Sequence, residues 1–210
     1  MELIFWLQEE EKSVGEKESL FEGRDRPKTV WDGGGMQPEN STPVTYVFID
    51  AANVIYRHGN ERLWKIDLKK LIKYLQERFG ASKIFYFGGI DYQNAAQMSI
   101  YRRMLEWGYE LRFNPVKHFV NDRGERYLKA DVDSRMTFEI MRLFPEYDRA
   151  VILTGDGDFY WVLEYICKQK TDVRLLASPA KTAKELKQLF GHKFTNFDDL
   201  KKWLEYLGDS

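Results

Sequence analysis

The sequence predicts an α/β domain built on a parallel sheet. From Val44 onward, short apolar runs alternate with longer segments whose apolar residues recur at helical spacing. The runs at 44–50 and 150–153 are apolar almost throughout, as expected for central strands covered on both faces. Carboxylates follow both runs directly: Asp50 closes the first, and Asp156 and Asp158 come just after the second. Strands alternating with helices imply right-handed crossovers, helices on both faces of the sheet, and a ligand site beyond the carboxyl ends of the strands.

Taken in order, the first strand spans 44–50. A helix over 67–79 puts Leu68, Leu71, Ile72 and Leu75 on one face, with Asp67 as its cap and Gly80 as its stop. A second strand covers 83–87, and a helix over 93–106 ends at Gly108. The third strand spans 109–113. Residues 115–129 form a polar excursion that reads as a hairpin turning at Asn121-Asp122-Arg123-Gly124. A helix over 132–143 is ended by Pro145. The fourth strand covers 150–153, a helix 159–169, and the fifth strand 173–177. Helical segments over 182–190 and 197–207 complete the domain, which is expected to span 44–210.

Residues 1–43 read differently. A charge-rich run from Glu9 to Glu22 leads into Gly33-Gly34-Gly35 and the stretch between Pro38 and Pro43, so a flexible arm or linker is expected. Ten of the 33 acidic and five of the 32 basic residues fall in this arm, which leaves 44–210 with a net charge of +4. A mildly basic domain suits an anionic polymer, though weakly. The single cysteine, Cys167, excludes an intramolecular disulfide and a Cys-based zinc site. The opening residues lack a basic start and a small-residue cleavage site, and no stretch nears the ~20 apolar residues of a membrane span. A cytoplasmic protein with no membrane partner is expected.

The acidic residues carry the chemistry. If the first and fourth strands are parallel neighbours, Asp50, Asp156 and Asp158 share one sheet edge. Two carboxylates ~4 Å apart repel by about 4 kcal/mol at an effective dielectric of ~20, so such a group persists by binding a cation or holding a proton. Asp50 could alternatively cap the segment that follows it, and Asn53 could be a turn residue or offer its amide to a phosphate. Gly155 and Gly157 let the backbone turn tightly, and Asp158 can cap the next helix. Thr154 can hydrogen-bond a phosphate or a carboxylate. Asp131 and Asp133 precede a helix, where capping is the competing explanation. Glu139 could line the same cleft or lie in solvent.

All of these donors are oxygens, which favours Mg²⁺ or Mn²⁺ over Zn²⁺. His58, His118 and His192 form no ligand spacing. Tyr56, Tyr92, Tyr160 and Trp161 could stack bases or belong to the core. Arg57, Arg62, Lys117, Arg123, Arg126 and Lys129 could neutralise a polynucleotide backbone or form a solvated face. There is no GxxxxGK[ST] loop, no GxGxxG after a strand and no GxSxG elbow.

Three segments, Phe48-Ile49-Asp50-Ala51-Ala52-Asn53-Val54, Lys129 to Asp133, and Leu153-Thr154-Gly155-Asp156-Gly157-Asp158-Phe159, together resemble the NYN domain of the PIN-like nuclease superfamily. Within it the chain looks like the LabA-like branch, and the resemblance covers about residues 44–200. It implies a PIN-like three-layer αβα fold, a central parallel sheet of order 3-2-1-4-5, and Mg²⁺- or Mn²⁺-dependent ribonuclease activity. Asp50, Asp133, Asp156 and Asp158 then match the metal-binding acids, with Asp131 an alternative to Asp133, and Asn53 the accompanying asparagine. Thr154, Lys129 and Arg57 are expected to contact RNA. PIN-like proteins often dimerise, so a homodimer is a further expectation. The competing readings are an RNA-binding regulatory module without catalysis and a small-molecule phosphatase. A phosphoaspartyl enzyme of the haloacid-dehalogenase type would need an acid where Ala52 stands.

Overall fold

β1 (Thr45–Asp50) is buried along its whole length, because both of its faces are covered by helices. In this computed structural model residues 42–56, 64–120, 126–170 and 172–208 are described. The expected arm lies outside them but for its last two residues, and so do Arg57, Arg62 and His58.

After β1 the chain makes a single π-helical turn, Ala52–Tyr56. α1 (Leu68–Phe79) is capped by Asp67, whose carboxylate accepts from the Lys69 and Lys70 amides at 2.9 and 3.0 Å. It stops at Gly80 in the left-handed region, φ 65°. β2 (Ala81–Ile90), α2 (Ala95–Trp107) and β3 (Glu110–Pro115) follow. β4 (Lys117–Val120) and β5 (Arg126–Lys129) form the expected antiparallel hairpin, whose turn lies outside the described residues. Then come α3 (Asp133–Arg142), β6 (Arg149–Leu153), α4 (Tyr160–Gln169), β7 (Asp172–Ala177), α5 (Lys184–Phe190), β8 (Phe194–Asn196) and the short α6 (Lys201–Leu204).

The main sheet has the order β3-β2-β1-β6-β7-β8, with every neighbouring pair parallel. Leaving out the hairpin, its first five strands take the order 3-2-1-4-5 that the resemblance implies. The sixth, β8, falls between the last two helical segments that the sequence predicts, where no element is expected. It is only three residues long, and the helix expected over 197–207 is reduced to a 3₁₀ turn (Phe197–Leu200) followed by α6. So short a strand carries no periodicity that could reveal it.

Three layers result. α1 packs on β2, α2 and α6, while α3 packs on β1 and α4, and α4 on α5. The strict alternation of strand side chains divides the core between them. Tyr46 and Phe48 of β1 and Phe85 and Phe87 of β2 join Met136, Ile140, Leu163, Ile166 and Leu186 from α3, α4 and α5. Tyr86 points the other way and meets the rings of Tyr101 and Tyr109 at 6.2 and 6.1 Å. Asp50, two residues after Phe48, therefore faces the α3–α4 layer. No helix among the described residues is long and apolar enough to cross a membrane.

β2 runs three residues further than the sequence suggests, through Gly88-Gly89 to Ile90. The two glycines pair with Phe113 and Asn114 instead of ending the strand. A Cβ on Gly89 would stand 2.8 Å from Val116 Cγ1 and 2.9 Å from Ala130 Cβ. The two stems of the hairpin cross the sheet there, and only glycine leaves room for them. Gly89→Ala is expected to destabilise the fold by about 1–3 kcal/mol through overpacking, measured by urea denaturation. An unchanged midpoint would mean that the hairpin stems shift freely.

Candidate functional site

The chain reverses direction across the sheet between β1 and β6, and the two strands are paired up to Ile49 and Leu153. The next residues on each, Asp50 and Thr154, stand side by side at this switch point, which is where open parallel sheets bind ligands. Asp50 is 2 % exposed and Thr154 is fully buried. The Thr154 hydroxyl donates to Asp50 Oδ2 at 2.9 Å, and the Asn53 amide donates to Asp50 Oδ1 at 3.1 Å. Asp50 thus does cap the turn that follows it, as one reading of the sequence held. That role occupies one acceptor direction on Oδ1 and leaves the carboxylate with spare capacity. Among the described residues no cation forms an ion pair with it.

Burial is the main reason that Asp50 is pushed up to about 6, and the charges of Asp133 and Asp156 add to the rise. The two hydrogen bonds oppose the shift without cancelling it. Of the two acids before α3, Asp133 is therefore the one whose charge Asp50 feels. Asp131 is exposed, and its carbonyl accepts a hydrogen bond from Asn114 Nδ2. The neighbouring Arg135 guanidinium donates to the Phe113 carbonyl, so the start of α3 is tied to the end of β3 from two sides.

Asn53 is also 2 % exposed. Its Oδ1 accepts the Gly155 amide at 2.9 Å, which fixes the orientation of the side chain and joins the β1 turn to the β6 loop. Its Nδ2 is a buried donor with no hydrogen-bond partner among the described residues. A donor left without an acceptor costs about 1–3 kcal/mol, which makes this amide a candidate contact for an acceptor.

The β6 loop has a similar logic. The Asp156 amide donates to Thr154 Oγ1 at 3.2 Å, and Asp156 Oδ1 caps a 3₁₀ turn (Gly157–Phe159) through the Asp158 amide at 3.1 Å. Asp156 is half-buried and Asp158 exposed. A Cβ on Gly155 would lie 2.9 Å from the Lys181 carbonyl, 3.1 Å from Asn53 Oδ1 and 3.1 Å from Thr182 Cα. The loop after β7 closes over that glycine, with the Ala183 amide donating to the Gly155 carbonyl at 2.9 Å and Thr182 Oγ1 to the Ser178 carbonyl at 2.7 Å.

Sequence reasoning missed this third loop, 178–183. The signal was available: it follows a strand of the same sheet at the same edge. Glu139, by contrast, is buried and ion-paired to Arg142 at 2.7 Å, not at the solvated position that one reading anticipated. Arg57 lies outside the described residues. The Lys129 backbone ends β5, and its side chain is likewise outside them.

The donors converging here are carboxylates and an amide, the hard oxygen chemistry that Mg²⁺ and Mn²⁺ prefer. Asp50 is raised mainly by burial and further by the charges of Asp133 and Asp156, and a cation would offset both, so the residues fit such an ion in kind. They do not form a closed cage: among the described residues no three His, Cys, Asp or Glu side chains stand close enough together to hold a metal ion.

Three comparisons bear on the site. The family model described as the NYN domain matches residues 44–198. The Low amplitude and bright protein LabA of Synechococcus elongatus is 24% identical over 164 residues, 76% of this chain and 86% of LabA. A crystal structure of a Vibrio parahaemolyticus protein of unknown function superposes with a TM-score of 0.64 at 20% identity, covering 80% of this chain and 99% of that one.

Because a folded pKa of about 6 lies above that of an unfolded aspartate, the folded state of the metal-free protein favours the protonated Asp50. That contribution is complete below the unfolded pKa of ~3.9 and is lost as pH rises through about 6. A shift of roughly two units corresponds to about 3 kcal/mol. Asp50→Asn keeps one acceptor and has no charge to bury. In EDTA it is expected to be more stable than wild type at pH 8, by about 1–3 kcal/mol, with the gap closing near pH 4. Urea titrations across that range check this; a variant less stable at every pH would contradict it.

Proposed function

Since this chain belongs to the NYN domain family, with LabA among its relatives, we propose that it is a divalent-metal-dependent endoribonuclease acting at the β1–β6 switch point. The observation that carries the reading is the pairing of an acid raised by its burial, and further by two neighbouring acids, with a buried amide donor that has no acceptor among the described residues. A cation beside Asp50 and a phosphate oxygen at Asn53 Nδ2 would together relieve both.

Asp50 would hold the Mg²⁺ or Mn²⁺, with the Asp133 and Asp156 side chains drawn in around the ion from their present, wider spacing and Asp158 at the rim. When bound, the ion offsets the charge of the scissile phosphate and lowers the pKa of water beside it. The protein's own residues do the rest. Thr154 and the Asn53 amide fix the Asp50 carboxylate, so its orientation need not be found anew at each turnover. Asn53 Nδ2 donates to a non-bridging phosphate oxygen and stabilises the charge that develops there. Gly155 lets the loop after β7 pack down on the site, which limits access of bulk water from that side. Water attack in line with the leaving oxygen gives a 5′-phosphate and a 3′-hydroxyl. The mildly basic balance of the domain supports a polyanionic substrate. The cytoplasm and a homodimer remain part of this proposal.

A nucleic-acid-binding module without chemistry is the second reading, favoured by the lack of a closed ligand cage among the described residues. Purified protein incubated with end-labelled single-stranded RNA in Mn²⁺, Mg²⁺ or EDTA separates the two. Cleavage in Mn²⁺ or Mg²⁺, none in EDTA, and a loss of at least ~100-fold in Asp156→Asn are expected, in line with the size of single electrostatic contributions to catalysis. Binding of RNA with no cleavage in either ion would select the second reading. Mn²⁺ is also expected to raise the melting temperature of wild type and leave that of Asp50→Asn unmoved.

A further inference from the structure

α4 turns Val162, Leu163 and Ile166 inward. Its outward stripe is Trp161, Tyr165 and Lys168, which begins one turn after Asp158 and continues at the four- and three-residue spacing of a single helix face. Trp161 is 77 % exposed and Tyr165 46 %. An indole so exposed forgoes most of the stabilisation that burying it would bring. Neither ring hangs loose. Tyr160 packs edge-on against Trp161 at 5.3 Å, and Phe144 lies against Tyr165 at 5.9 Å. At the far end Lys170 Nζ sits 4.1 Å over the Phe144 ring. The stripe therefore starts one turn after Asp158, offers braced aromatic rings at successive turns, and ends at Lys168, ion-paired to Glu164 at 3.1 Å, and Lys170, whose Nζ donates to the Tyr147 carbonyl at 2.7 Å.

We infer that this stripe is a stacking platform for unpaired nucleobases and that Trp161 makes the site select single-stranded over duplex nucleic acid. The inference rests on the nuclease reading above, because it takes the strand being read to be the one presented to Asp50 and Asn53. Every base has a π-face, so a platform of this kind tolerates any sequence. In a duplex those faces are already covered by neighbouring bases. Flat rings leading from carboxylates to lysines favour a polynucleotide over an aliphatic partner surface. Phe138 and Met141 on the adjoining α3 are exposed as well, which makes a second copy of the chain the competing occupant.

The test uses the full chain carrying Asp156→Asn, so that bound RNA survives, with and without Trp161→Ala or Trp161→Phe. Fluorescence anisotropy is read with a short labelled oligouridylate, a labelled RNA duplex and an abasic ribose-phosphate chain. Trp161→Ala is expected to weaken the oligouridylate about tenfold or more, the scale of one stacked base. Trp161→Phe should recover most of that, and the duplex and abasic chain should be unaffected. Unchanged oligouridylate affinity in Trp161→Ala would overturn the platform and leave the nuclease reading standing. So would a fall in sedimentation coefficient with RNA affinity intact, which would assign the face to a second copy. Equal weakening of the abasic chain would also overturn it, since no base is there to stack. If the parent binds none of the three, the functional reading fails and the platform fails with it.

Discussion

The arrangement depends on one constraint: a carboxylate buried at the end of the central strand with only neutral hydrogen-bond donors beside it. Burying an anion costs far more than a hydroxyl and an amide return, and here two further acids lie within electrostatic reach. Metal-free, the protein meets this cost by shifting Asp50 toward its protonated form, up to about 6. A divalent ion would reverse the sign of the whole neighbourhood. Asp50 is in this sense poorly suited to the metal-free fold, and misfit of this kind marks a candidate functional site.

The flanking chain is shaped by the need to keep that carboxylate in place. Asn53 and Thr154 come from different elements and bond to each other's loops, so the ends of β1 and β6 cannot move apart without breaking a buried hydrogen bond. Gly155 and Gly89 are needed for clearance, since a Cβ at either would strike backbone or packed side chains. One admits the loop after β7, the other the hairpin stems that lead into α3. Asp133 reaches the site because Asn114 and Arg135 tie the start of α3 to the end of β3. Three loops from three strands thus meet at one edge, while the aromatic core beneath gives them a rigid base.

Much of this was legible in the sequence. The all-apolar runs of β1 and β6 identified the centre of the sheet, and Asp50 at the end of one and Asp156 three residues past the other marked the edge that carries the candidate site. Asp67 and Gly80 marked the ends of α1 because capping chemistry is local. What stayed hidden was non-local. Gly88-Gly89 looked like a strand end, and its true reason is a close crossing by residues 27 and 41 positions further on. β8 was too short to show a period. Glu139 looked like a candidate for the cleft, and a neighbour one turn away on its own helix, Arg142, engages it instead. Two acids two residues apart do not separate Asp131 from Asp133 in the sequence; in the structure Asp133 is the one whose charge reaches Asp50.

The most direct measurement is anomalous diffraction from crystals of the wild-type protein soaked in Mn²⁺. The account predicts a single dominant peak among the carboxylates of Asp50, Asp133 and Asp156, with Asn53 turned toward the same opening. A peak elsewhere, or none at saturating Mn²⁺, would contradict the claim that these acids were assembled to hold a metal.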